Sequence, residues 1–129
     1  MRLVRLSMLA LLLTGCGQAA PTLSGGKPVS YWVQALKDPD PALRKKAAFK
    51  LGNAGPAEAT VVPALVAALR DEDAGVRSAA ILALVKFGPD AKEAIPALAE
   101  MEHEDNDDQV RAYAAKALAR IPGSKEQAR

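Results

Sequence analysis

An all-α fold, an α-solenoid of three antiparallel helix pairs, is predicted from two observations. The first is repetition. The stretch DEDAGVRSAAILALVKFGP at 71–89 falls on 38–56 when shifted back 33 residues, and on 105 onward when shifted forward 34. Asp38, Asp71 and Asp105 then coincide, as do Asp40, Asp73 and Asp107, and also Arg44, Arg77 and Arg111. Val62-Pro63-Ala64-Leu65 recurs in the same way as Ile95-Pro96-Ala97-Leu98. Self-similarity at this period marks units that bury their apolar faces only against their neighbours. The second observation is composition. Half of the 129 residues are hydrophobic but only 4% are aromatic, and alanine is abundant. Small side chains let helices approach closely, which suits stacked helix pairs better than one large core.

The chain opens with Arg2 and Arg5, an apolar run over 6–13, and Leu13-Thr14-Gly15-Cys16. Such a run is shorter than the roughly 20 apolar residues that span a bilayer, so 1–15 reads as a signal peptide. Its last four residues resemble the bacterial lipoprotein box, which implies that Cys16 is lipidated and becomes the first mature residue. Cys16 is the only cysteine, so no disulfide forms within one chain. Two or three acyl chains there would anchor the protein stably, where one is marginal. Gly17 stands where an aspartate commonly retains Gram-negative lipoproteins in the inner membrane. In such an envelope the expected place is the outer membrane, facing the periplasm. The precursor carries 17 basic and 15 acidic residues; without Arg2 and Arg5 the two signs balance.

Residues 16–28, with glycine, proline and small polar side chains but no hydrophobic period, read as the lipidated cysteine and a flexible tether. The repeat domain is expected over 29–122, in units of 29–56, 57–89 and 90–122, followed by a polar tail at 123–129. A first helix over about 29–37 has Ser30 as its candidate cap and Trp32, Val33 and Leu36 as its stripe. Trp32 holds the position of Leu65 and Leu98, where a large residue would close the open end of the stack. Asp40-Pro41 is a strong helix start; Leu43, Ala47, Ala48 and Leu51 then point inward until glycines at 52 and 55 stop the helix. In the second unit a helix beginning near 57 or 61 runs to about 70 and starts or bends at Pro63. Asp73 caps its partner, whose stripe is Val76, Ala80, Ile81 and Leu84. In the third, Asp90 is the candidate cap of a helix running to about 101 and interrupted at Pro96. An acidic turn at 103–108 leads into a last helix over about 108–121.

The openings GPxxxxxxPAL at 55–65 and 88–98, with the pairs Asp38/Arg44, Asp71/Arg77 and Asp105/Arg111, resemble HEAT repeats of the short, bilin-lyase-like form. The resemblance covers about 29–122. It implies a right-handed superhelix whose second helices line a concave face. Each Asp is expected to pair with the Arg one turn into the following helix, and the three pairs to stack into a structural ladder along the seam between repeats.

Catalytic chemistry finds little to work with. HEAT-repeat deoxyhypusine hydroxylases hold two irons with four His-Glu pairs, whereas this chain has one, His103-Glu104, and the matching positions of the second repeat are Arg70 and Asp71. The acidic turn departs from an EF-hand, with Val110 where glycine belongs and Lys116 where glutamate belongs; a weak surface cation site stays open. The sole histidine lacks a partner for a Ser/His/Asp or Cys/His arrangement. The expectation is a protein with no enzyme activity, no cofactor and no metal.

Charge is more informative. Between Pro41 and Asn53, Gly75 and Phe87, and Gln109 and Arg120 there is no acidic residue. Basic residues on these helices outnumber what the helix dipole favours at their ends. Helical spacing sets three rows across the repeats: Lys46, Ala79, Tyr113; Phe49, Leu82, Lys116; and Asn53, Lys86, Arg120. The partner-binding set is therefore Lys46, Phe49, Leu82, Lys86, Tyr113, Lys116 and Arg120, an amphipathic groove for an acidic protein segment with apolar anchors. The expected function is a lipid-anchored, non-catalytic interaction scaffold in the bacterial envelope, with no nucleic-acid partner. Two alternatives stay open: an accessory subunit of a bilin-lyase-like or metal-dependent enzyme, and a binder of anionic polymer or lipid headgroups.

Overall fold

The computed structural model describes residues 20–124. The stretch expected as signal peptide, Cys16 and the end of the tail lie outside that range. A short hairpin, β1 (Leu23–Ser24) and β2 (Lys27–Pro28), leads into six α-helices among the described residues: α1 (Val29–Ala35), α2 (Pro41–Ala54), α3 (Val61–Ala68), α4 (Ala74–Phe87), α5 (Ile95–Glu104) and α6 (Asp108–Arg120). They pack as the pairs α1/α2, α3/α4 and α5/α6 of an α-solenoid, and the second helices form a continuous layer in which α4 lies between α2 and α6.

The second helices begin where a side chain satisfies an otherwise orphaned backbone N–H. Asp40 accepts from Ala42 N at 3.0 Å, Asp73 from Val76 N at 3.0 Å, and Asp107 from Gln109 N and Val110 N at 2.9 and 3.0 Å. The core stripes follow the helical period: Ala47, Ala48 and Leu51 on α2, Val76, Ala80, Ile81 and Leu84 on α4, and Val110, Ala114 and Ala117 on α6 are all buried. Each fully buried leucine, such as Leu51, Leu65, Leu84 or Leu98, contributes about 1.5–3 kcal/mol.

Gly52 does not stop α2. It is buried inside the helix, and a Cβ there would lie 2.9 Å from the Ala83 Cβ. Its role is to let α2 and α4 approach. The helix ends instead at Gly55, whose φ of 90° is open to glycine at no steric cost.

Four other elements differ from the sequence reading. Residues 23–28, expected as tether, form the hairpin, turned by Gly25-Gly26 at φ 58° and 77°. Ser24 is buried, its Oγ donating to Lys50 O at 2.8 Å, and Trp32 Nε1 donates to Ser24 O at 2.7 Å. A buried indole N–H needs an acceptor, and the hairpin supplies one while covering the first end of the stack. Ser30 is not a cap: α1 starts at Val29, after Pro28. Asp90 caps no α-helix either, because Gly88–Ala94 is a 3-10 segment and α5 starts at Ile95. Pro96 therefore lies in the first turn, where its missing N–H costs nothing. Finally, α5 runs to Glu104, so His103 sits in its last turn rather than in a loop.

Candidate functional site

The buried arginines come first, because they decide which charges are already used. Arg44 donates through Nε and Nη2 to the two carboxylate oxygens of Asp71, at 2.8 and 3.1 Å. Its Nη1 meets Asp38 O and Pro39 O at 2.8 and 3.0 Å. Arg77 repeats the arrangement one unit on, with both donors at 2.9 Å from Asp105 and Nη1 on Asp71 O and Glu72 O at 2.9 and 3.2 Å. The carboxylate of each rung thus belongs to the following repeat, not to the turn before the arginine as the sequence spacing suggested. The reason is reach: the arginine's own turn presents backbone carbonyls, while the next turn brings its Asp into the guanidinium plane. The hydrogen bonds that Arg44 donates to Asp71 raise its pKa further above the ordinary value, against the opposing pull of burial.

The ladder therefore has two bidentate rungs. Among the described residues no arginine precedes Asp38, and its Oδ1 accepts only from Asp40 N, at 2.9 Å. Among the described residues no acidic turn follows Arg111. It holds Asp105 O and the exposed Asp108 of its own helix, and its side chain is 36% exposed against 8% for Arg44 and 10% for Arg77.

On the second-helix layer a groove of about 540 Å³ crosses from α2 over α4 to the start of α6. Lys46 and Phe49 line it from α2, Leu82 and Lys86 from α4, and Tyr113 from α6. Phe49 is 57% exposed and Leu82 50%, so neither is absorbed under a neighbouring helix. Lys86 Nζ donates to Asn53 Oδ1 at 2.8 Å and sits 5.3 Å from the Phe49 ring centre, a cation–π distance. Among the described residues no carboxylate lies within ion-pair distance of Lys45, Lys46 or Lys86.

The sequence family described as HEAT repeats matches residues 29–119, spanning all three helix pairs, the ladder and the groove. The chain belongs to the HEAT-repeat family. No curated protein matches it. HEAT repeats generally act as scaffolds for protein–protein interaction, and what distinguishes this HEAT-repeat chain must be read from its own surface.

Five of the seven residues expected to bind a partner meet in the groove. Lys116 and Arg120 do not: they lie exposed on α6, outside its lining. Three contributors went unrecognised in the sequence. Lys45 lines the α2 wall, and Asp107 and Gln109 line the α6 end. Gly75 held the signal for Lys45, because a glycine at the start of α4 leaves space that the lysine crosses; a Cβ there would sit 3.9 Å from Lys45 Nζ. Asp107 was hidden by its other role as the cap of α6. His103 is exposed, with Nε2 3.7 Å from Glu102 Oε2. Among the described residues no three His, Cys, Asp or Glu side chains cluster to hold a metal, and the acidic turn is occupied by Arg77 and by the α6 cap.

Proposed function

We propose that this HEAT-repeat chain is a non-catalytic interaction scaffold of a bacterial envelope, tethered through lipid on Cys16 and binding a protein partner by its second-helix face. The observation that carries the reading is the juxtaposition of exposed Phe49 and Leu82 with three lysines that form no ion pair among the described residues. Contiguous exposed apolar surface rimmed by polar groups marks a recognition surface, and lysines without a carboxylate partner complement an acidic partner segment. No helix among the described residues is long and apolar enough to cross a membrane; on this reading the lipid on Cys16 supplies the attachment.

The test has two arms. Cys16→Ser should move the protein from the membrane to the soluble fraction in detergent-free buffer; a variant that still fractionates wholly with membranes would overturn the anchor. Co-purification from an envelope extract should then recover a partner that is lost with Phe49→Ala and in high salt. A partner retained by Phe49→Ala and by Lys46→Glu would place binding elsewhere.

A further inference from the structure

The groove is not uniformly basic, and we infer from its unequal ends that it binds a polar, one-sided ligand: a peptide segment with one bulky apolar residue, carboxylates on one flank and no acid on the other. This rests on the groove being the partner-binding face, and it goes on to say which segments fit. The α2 wall carries Lys45 and Lys46, and Lys86 overhangs Phe49 between α2 and α4. The floor is apolar, with Phe49, Leu82 and Ala83. At the α6 end the lining changes to Asp107, Gln109 and Tyr113, with Gln109 Nε2 3.5 Å from Tyr113 Oη. A ligand lying across the helices therefore meets cations, then carbon, then a carboxylate.

Three physical consequences follow. A volume of about 540 Å³ lies at the scale of sites that enclose a compact group rather than a long helix face, so one anchor side chain fills the middle. Carboxylates over Lys45 and Lys46 gain attraction without displacing any internal ion pair, because those lysines have none among the described residues. Carboxylates at the other flank face Asp107. Its Oδ1 is occupied by two backbone donors of α6, but the residue keeps its negative charge. Rejection by like charge is how a site discriminates between ligands that share its attractive contacts. A uniformly basic face would reward every added acid; this groove rewards acids on one flank only.

The test uses two synthetic peptides with the same central phenylalanine, titrated calorimetrically against the full chain. One has three glutamates on one flank and three serines on the other, prepared in both orders. The second has three glutamates on both flanks and so carries twice the charge. The better order of the one-sided peptide should bind tighter than the two-sided peptide by about two- to fivefold, the scale of a screened surface charge pair. Asp107→Asn, which keeps a competent helix cap, should erase that preference. Replacing the peptide phenylalanine by alanine should weaken binding by about tenfold or more, as for a buried anchor. A two-sided peptide that binds as tightly as the one-sided peptide, or a preference unchanged in Asp107→Asn, overturns the polarity while leaving the scaffold reading in place. Failure of every peptide to bind overturns the inference. If a partner is also retained by Lys45→Glu/Lys46→Glu, the groove reading itself falls.

Discussion

Two sets of basic residues on the same helices behave oppositely. Arg44 and Arg77 are buried, and each carboxylate they meet arrives from the next repeat at bidentate distance. Lys45, Lys46 and Lys86, one face away, form no ion pair among the described residues and border exposed carbon. The helix sequence places positive charge on both faces; the stacking of repeats decides which is neutralised internally. What the difference teaches is a criterion. A charge satisfied by the neighbouring repeat holds the solenoid together, and a charge left without a partner is available to bind.

The largest effect expected from breaking this division is at the Arg77–Asp105 rung. Arg77→Ala strands Asp105, whose side chain is only 7% exposed, and losing one member of a buried pair costs about 3–5 kcal/mol. Lys86→Ala, on the other face, should change stability by no more than about 0.5 kcal/mol. Urea denaturation of the two variants measures the contrast, and equal midpoints would erase it.

A smaller effect is expected where the second helices touch. Gly52→Ala forces a Cβ against Ala83 at 2.9 Å; overpacking of this kind costs about 1–3 kcal/mol. The clash lies in the groove floor, which Gly52 and Ala83 both line, and thermal denaturation should show the loss of stability with every surface charge unaltered. An unchanged melting temperature would mean that α2 and α4 have room to separate.

The smallest effect sharpens the criterion. Arg111 occupies the ladder position, but no aspartate of a further repeat meets it among the described residues, and it pairs with exposed Asp108 instead. Arg111→Ala should cost only about 0–1 kcal/mol, far less than Arg77→Ala in the same urea series. A loss as large as that of Arg77 would show that sequence position, not the stacked neighbour, gives the arginine its role.

Much of this was legible in the residues. Three Asp-x5-Arg spacings and two PAL openings predict the repeats, and Asp40, Asp73 and Asp107 mark the second helices. Residues that alternate between neighbours were harder to assign. The spacing Asp38/Arg44 is local, so it suggested local pairing, whereas the guanidinium reaches 27 residues forward to Asp71. Gly52 and Gly25 were read as breakers or flexible links because glycine does both; only the Ala83 contact and the Ser24–Lys50 bond show that one packs and the other turns. Row arithmetic brought Lys46, Phe49, Leu82, Lys86 and Tyr113 together but carried on to Lys116 and Arg120, since helical spacing does not record where a groove ends.

The proposed division of labour is that lysines without a carboxylate partner bind, while the arginines with one hold the fold. Its most direct measurement is the association rate of the co-purified partner with Lys45→Glu/Lys46→Glu/Lys86→Glu, at low and high salt, beside the melting temperature of the same variant. Long-range charge acts mainly on encounter, and it is screened beyond about 8 Å at physiological ionic strength. The account predicts slow association at low salt, a difference from the unmodified protein that shrinks at high salt, and an unchanged melting temperature. An unchanged association rate with the fold intact would contradict it.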